Sequence, residues 1–173
     1  MQLLFIINAL KIIFILGFLV LIHETGHFIV ARLCKVKVKE FAIGFGPTIW
    51  KKQGKETKYA LRLIPLGGFV SMEGEEERSN KEGSFSNSSI PKRIAIVAAG
   101  GLVNIFFALI VYLILITVLT GDFTKALSST GNFAFAIVDS LKMLFSGGVS
   151  VDQLMGPVGI SSVVAQTSNL AEF

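Results

Sequence analysis

Leu21-Ile22-His23-Glu24-Thr25-Gly26-His27-Phe28 closes an apolar run that begins at Leu3, and it contains the pattern H-E-x-x-H. Residues four apart lie on one face of a helix, about 6 Å apart along its axis. We therefore predict a helix on which His23 and His27 offer imidazole nitrogens to one metal ion. Glu24, beside them, can accept a proton from a water at that metal. This is the arrangement that a zinc hydrolase needs.

The motif also has a simpler interpretation, because H-E-x-x-H is short and occurs by chance in soluble helices. There the two histidines would be surface residues flanking a solvated glutamate. Here the motif ends an almost uncharged apolar run, where ionisable side chains are costly and usually functional. His23 and His27 are also the chain's only histidines. The setting favours the metal interpretation.

Composition indicates a helical membrane protein of one domain. The chain has 173 residues, of which 52% are hydrophobic and 15 are phenylalanine, which is typical of membrane spans. Its net charge is +4, but most basic residues lie between Arg32 and Arg93 among glutamates, so no nucleic-acid surface is predicted. The excess of basic residues instead places this segment, and the motif, near the cytoplasmic side of the cell membrane. Cys34 is the single cysteine, so no intrachain disulfide can form.

The first predicted span is Leu3 to Ile22, which at about 1.5 Å per residue can cross the hydrocarbon core. We interpret it as a retained span, since it lacks the basic start and small-residue cleavage site of a signal peptide. Lys11 lies deep in this span. It faces either protein or a watery cavity, or it reaches the interface from a tilted helix.

A β-hairpin is predicted in the segment 34–93. Val36 to Trp50 begins with alternating apolar and polar residues and is expected to break at Gly44-Phe45-Gly46-Pro47. Tyr59 to Ile64 alternates again, and Pro65 is expected to interrupt it. The apolar, glycine-rich ends suggest that the hairpin dips toward the membrane beside the motif helix. Glu73 to Ser89 is predicted to be a solvated, mobile loop.

A second span is predicted over residues 94–119, which carry no charge. Its start, Ala98 to Asn104, is small and polar, which permits close helix approach. Asn104 either forms a hydrogen bond between helices or contacts the substrate or the catalytic centre. Gly121 to Thr130 is predicted to be a short loop. The remaining segment, 131–173, is expected to hold an amphipathic helix over Asn132 to Ser146.

Four stretches of this chain resemble a known family. They are His23-Glu24-Thr25-Gly26-His27-Phe28, Phe41-Ala42-Ile43-Gly44-Phe45-Gly46-Pro47, Arg62-Leu63-Ile64-Pro65-Leu66-Gly67-Gly68-Phe69-Val70, and Ala99-Gly100-Gly101-Leu102-Val103-Asn104 with Met155-Gly156-Pro157-Val158-Gly159-Ile160. Their order over most of the chain resembles the site-2 protease family of zinc intramembrane metalloproteases. The bacterial branch that cleaves anti-sigma factors and remnant signal peptides is the most similar.

The resemblance implies a role for each matching residue. His23 and His27 would bind Zn²⁺, and Glu24 would be the catalytic base. The segment from Phe41 to Val70 would be a membrane-re-entrant β-loop whose edge pairs with an unwound substrate strand. Substrate-binding residues would then be Gly67, Gly68, Phe69 and Asn104. The substrates would be single-span transmembrane proteins in the lipid bilayer of a bacterial inner or plasma membrane.

The chain departs from the family pattern in three ways. Gly101 stands where the family's G-P-x-x-N pattern has proline. The family's third zinc ligand is an aspartate in an L-D-G motif, yet no Asp-Gly pair occurs here. The PDZ domain that this branch often inserts would not fit into residues 121–130. We expect the metalloprotease domain, 1–173, to be C-terminally incomplete.

Two competing functions remain open. The chain could be a catalytically incomplete relative that binds substrate or regulates other proteins, which the missing aspartate favours. It could also belong to a transporter or channel with a polar intramembrane site, although two clear spans and no internal repeat argue against that class.

Overall fold

The computed structural model describes residues 2–146 and their side chains from Ile6 onward. The elements are α1 (Gln2–Leu33), β1 (Val38–Gln53), β2 (Lys58–Met72), α2 (Ile90–Thr120) and α3 (Phe123–Phe145). The predicted helix–hairpin–helix order is confirmed. The predicted Gly156-Pro157-Val158-Gly159-Ile160 segment lies outside the described residues. Contacts divide the chain into two compact units that part between Asn104 and Ile105.

Two helices are long and apolar enough to cross a membrane, over Ile6–Leu33 and Ile90–Thr120. The most apolar stretches of both are not buried inside the protein, and large side chains such as Phe14 and Val118 are mostly exposed. A helix that is apolar on all sides needs an apolar environment around it. A bilayer supplies that environment.

The first two helices approach each other closely at small residues. A Cβ atom on Gly26 would lie 2.7 Å from the carbonyl oxygen of Ala99 and 3.0 Å from Cγ2 of Val103. Only glycine leaves room for this contact, as expected where backbones pack tightly. The small-residue start of α2 therefore acts as predicted.

The predicted β-hairpin is confirmed, but its strands are longer than expected. Breaks predicted at Gly44, Gly46 and Pro65 are wrong, because both strands continue through them. Gly44 and Gly46 have φ values of +84° and +83°, so irregular pairing there bends the strand without ending it. Gly54 donates to the carbonyl of Thr57 at 2.9 Å and closes the turn.

The hairpin folds back on itself, so the start of β1 is paired on both sides. Phe41 pairs with Val70 and with Tyr59, and Ala42 pairs with Phe69 and with Ala60. Gly68 to Met72 have β1 as their single strand partner within residues 2–146. One edge of this part of β2 is therefore free of strand pairing in the described chain.

A small core joins the end of α1, the base of the hairpin and the start of α2. Its buried members are Ala31, Val36, Val38, Val70, Met72 and Ile96, with Phe28, Cys34, Phe41 and Phe85 packed against them. Cys34 is partly buried against this core. This core fixes the hairpin base beside the motif helix.

The segment from Glu73 to Ser89 forms no regular helix or strand, as predicted, but hydrogen bonds hold it to the hairpin. Phe85 donates to the carbonyl of Glu73 at 2.7 Å. The ammonium of Lys39, 3.2 Å away, and the Ser79 hydroxyl lower the pKa of the Glu73 carboxyl. The Glu73 carboxylate is therefore paired with lysines at the hairpin and is not simply solvated.

The short loop predicted over Gly121 to Thr130 is wrong, because α3 begins at Phe123. Gly121, with φ +65°, follows the end of α2. Asp122 then caps the next helix, its side chain accepting from the backbone N–H of Lys125 at 3.0 Å. The amphipathic helix predicted from Asn132 is thus the second half of a longer helix. Within this unit Tyr112 stacks on Phe133 at 4.8 Å.

A half-buried ion-pair cluster ties the start of β2 to β1. Glu40 accepts from Lys58 and from Arg62, each at 3.0 Å. Burial raises the pKa of Glu40, but the hydrogen bonds and charges of both partners outweigh it, so the pKa lies below its ordinary value of 4.5. Glu40 therefore stabilises the hairpin most in its ionised form.

We predict that Glu40→Gln lowers the free energy of unfolding at neutral pH. Because the folded-state pKa is depressed, the contribution of Glu40 is complete above 4.5 and is lost as pH falls through the lowered value. Chemical denaturation of the parent and the variant in detergent, repeated from neutral to acidic pH, measures the difference in the free energy of unfolding.

Glu56→Gln is the matched control for this experiment. Its pair with Arg32 is longer, 3.6 Å, and largely exposed, so it contributes little. Equal denaturation midpoints for the parent and Glu40→Gln at neutral pH would contradict a stabilising role.

Candidate metal centre

The motif residues lie together in the C-terminal half of α1. The rings of His23 and His27 are 4.7 Å apart between centroids and nearly perpendicular, at 82°. The helix is unbroken across them, so the four-residue spacing brings both imidazoles to one side as predicted.

Gly100 on α2 provides the space that both imidazoles face. A Cβ atom there would lie 2.5 Å from Nε2 of His27 and 2.6 Å from Nε2 of His23. Any larger residue would collide with both rings. Glycine inside a helix costs about 1 kcal/mol relative to alanine. The need for space beside the two imidazoles explains why glycine stands at position 100 despite this cost.

The remaining ring nitrogen of each histidine also contacts α2. Nδ1 of His27 lies 2.7 Å from the carbonyl oxygen of Ile96. A carbonyl only accepts, so Nδ1 must carry the proton and donate it. Nε2 of His27 then keeps a free lone pair, as a metal ligand requires. Nδ1 of His23 lies 3.3 Å from Nδ2 of Asn104.

Glu24 connects the motif helix with the hairpin. Its carboxylate is half-buried and interacts with the two neighbouring imidazoles and with the backbone N–H of Val70. Val70 belongs to the part of β2 that lacks a second strand partner within the described chain. The carboxylate therefore lies between the histidine pair and a strand edge.

Two of the predicted substrate-binding residues, Gly68 and Phe69, lie on that same stretch of β2, and Gly67 directly precedes it. Gly67 has φ +93°, and a Cβ there would lie 3.6 Å from Cγ1 of Val20, close to the motif on α1. Phe69 packs under the guanidinium of Arg62, 4.8 Å from the ring centroid. Gly68 lies between them. The strand therefore runs along α1 from Gly67, near Val20, to Val70, near Glu24.

The arrangement offers two nitrogen ligands for a metal. A catalytic zinc usually has three protein ligands and a water, and residues 2–146 contain no group of three potential metal-binding side chains. Asp122, the N-cap of α3, and Asp139, within α3, are each paired with a lysine three residues further along the chain. The convergence of both Nε2 atoms beside Gly100 fits two of the three positions of a zinc site.

Sequence reasoning did not identify Gly100, the Ile96 carbonyl or the Val70 N–H as parts of this site. The double glycine within an apolar helix was a signal for Gly100. Backbone groups carry no side-chain signature, so the other two contacts could be found only in the folded chain.

Comparison with known proteins agrees with this geometry. The model of peptidase family M50 matches residues 11–173. The chain belongs to peptidase family M50. The resemblance to site-2 proteases, zinc metalloproteases of this family, is thereby confirmed.

Several relatives match between 55% and 62% of the chain. A predicted zinc metalloprotease of Clostridium acetobutylicum is 45% identical over 107 residues, covering 62% of this chain and 32% of that protein. The regulator of sigma-E protease RseP of Escherichia coli K12 is 42% identical over 113 residues, 62% of this chain and 25% of RseP. The chain thus spans a quarter to a third of the length of these relatives.

We predict that Gly100→Ala weakens metal binding by displacing both imidazoles. Gly101→Ala is the matched control, since a Cβ there has nothing within 4 Å in the described part of the chain and alanine favours the helix. Titration of detergent-purified protein with Co²⁺, followed by its visible absorption, measures the affinity. Equal affinities for Gly100→Ala and the parent would show that the two imidazoles are not the ligands.

Proposed function

We propose that this chain carries the metal-binding and catalytic part of a zinc-dependent endopeptidase that cleaves transmembrane segments of membrane proteins. The observation that carries this proposal is the convergence of the His23 and His27 Nε2 atoms beside Gly100, with the Glu24 carboxylate adjacent. Membership of peptidase family M50 and relatives named as zinc metalloproteases support it.

Each residue has a role that its chemistry allows. Zn²⁺ held by His23 and His27 would polarise the carbonyl of the scissile peptide bond. Glu24 accepts a proton from the attacking water and later delivers it to the leaving amine nitrogen. Its position beside both imidazoles supports this role.

The hairpin is the proposed substrate-binding element. A peptide bond inside a helix is shielded by its neighbours, so a transmembrane substrate has to be held extended before attack. Gly67, Gly68 and Phe69 lie on the β2 stretch beside Glu24, and an extended substrate could add to its unpaired edge. The substrate contact predicted for Asn104 stays a prediction.

The proposed location is the cell membrane, with several spans and the active site near the cytoplasmic side. Two apolar helices support the membrane placement. The basic residues between Arg32 and Arg93 support the orientation. The substrates would be single-span membrane proteins.

A second function is favoured by one observation, the lack of a third ligand within residues 2–146. The chain would then be a catalytically incomplete relative that keeps the hairpin and binds or regulates membrane proteins. Metal content and cleavage distinguish the two functions.

We predict roughly one Zn²⁺ per chain in the detergent-purified protein, because two converged imidazoles and a third ligand from outside residues 2–146 would complete a catalytic site. His27→Ala should hold little. Elemental analysis of both proteins measures this. Little zinc in both would remove the metal site from this chain and favour the second function.

We predict that Glu24→Gln retains zinc but loses cleavage of a single-span peptide substrate by at least about a hundredfold, since general acid–base catalysis typically contributes that much. Gel analysis of the cleaved substrate in detergent with added Zn²⁺ measures the rate. A zinc-loaded parent that cleaves no such substrate would contradict the endopeptidase proposal.

A further inference from the structure

One face of α2 contacts both histidines of the motif. Ile96, Gly100 and Asn104 are spaced four apart and lie above one another on the helix, about 6 Å between successive residues. Ile96 meets His27, Gly100 meets both rings, and Asn104 meets His23. The two motif histidines have the same four-residue spacing, so the two helices present matching rows of residues.

The two Nδ1 atoms are therefore held by different kinds of partner. The Ile96 carbonyl can only accept, which fixes the proton of His27 on Nδ1. The Asn104 side chain can accept or donate, depending on which end of its amide faces His23. The tautomer of His23 therefore depends on the orientation of one side-chain amide.

The hydrogen-bond count does not choose between the two orientations. With Nδ2 facing Nδ1 of His23 at 3.3 Å, the buried Oδ1 of Asn104 has no hydrogen-bond partner among residues 2–146. A half-turn of the amide places Oδ1 against Nδ1 and leaves Nδ2 in the other position. In either orientation one polar atom of the amide is unpaired among the described residues. The orientation is therefore decided by the tautomer that metal binding requires of His23.

Metal binding through Nε2 requires the proton of His23 to be on Nδ1. Both Nε2 atoms face one place beside Gly100, and a ligand nitrogen cannot carry a proton. The half-turned amide provides this state, because Oδ1 then accepts the Nδ1–H bond. The Ile96 carbonyl provides the same state for His27.

We propose that Asn104 is a positioning residue that accepts a hydrogen bond from Nδ1 of His23 and holds this imidazole in the metal-binding tautomer and orientation. This inference rests on the proposed metal site. It assigns to Asn104 a role through His23 and requires no contact with substrate. Partners of this kind typically change metal affinity by about 10- to 100-fold.

The experiment that tests this is nitrogen NMR of protein labelled at its histidines, without metal and at a pH where both imidazoles are neutral. The chain has only two histidines, and His27→Ala assigns them. We expect the Nδ1–H tautomer for both residues in the parent. A parent in which His23 carries its proton on Nε2 would overturn the inference.

Two substitutions of Asn104 make the test specific. Asn104→Leu keeps the branched shape of the side chain but removes the acceptor, so His23 should leave the Nδ1–H tautomer. Asn104→Asp keeps an acceptor oxygen and should restore it. His27 serves as an internal check of folding, because its bond to the Ile96 carbonyl is unaffected. An unchanged His23 tautomer in Asn104→Leu would overturn the inference.

Co²⁺ affinity provides an independent readout. We expect Asn104→Leu to weaken binding by about tenfold or more, and Asn104→Asp to weaken it less. Thr117→Val is a control on the same helix, since within residues 2–146 its hydroxyl bonds only to the carbonyl of Leu113. If neither the parent nor His27→Ala binds Co²⁺, the metal proposal fails, while the tautomers still decide the role of Asn104.

Discussion

The close approach of α1 and α2 at glycine residues is the constraint on which the candidate site depends. Gly26 lets the backbone of Ala99 come within contact distance, and Gly100 leaves room for both imidazoles. Without these two glycines the helices would separate by about the width of a side chain. The Ile96 carbonyl and the Asn104 amide would then no longer reach the histidine rings.

The geometry of the histidine pair accordingly depends on two helices, although both histidines belong to α1. The i,i+4 spacing on α1 brings the rings to one face. Their orientation depends on α2, whose carbonyl at Ile96 leaves Nε2 of His27 free to bind a metal. Such outer partners orient ligands in metal sites generally.

The hairpin completes the site from the other side of Glu24. Its fold-back pairs the start of β1 on both sides, and the base packs into the core that includes Val70 and Ile96. The stretch from Gly67 to Val70 is thereby held beside α1. The Glu40 cluster with Lys58 and Arg62 fixes the start of β2, and Arg62 in turn packs over Phe69. These contacts place a strand edge beside the Glu24 carboxylate.

The sequence by itself determined the parts that depend on local chemistry. Apolar length predicted two helices long enough to span a membrane, alternation predicted the hairpin, and H-E-x-x-H predicted that His23, Glu24 and His27 belong together. It failed where a local signal has two structural outcomes. Glycine and proline within β1 and β2 bend these strands without ending them, and Gly121 with Asp122 starts a new helix at once where a longer loop was expected.

Only the tertiary structure decided which groups surround the motif. The contacts of Gly100, Ile96, Asn104 and Val70 with the motif join residues about 45 to 80 positions apart, and two of them use backbone atoms, which every residue type carries. No periodicity or motif records such contacts, because they arise from how closely two helices and a strand edge pack.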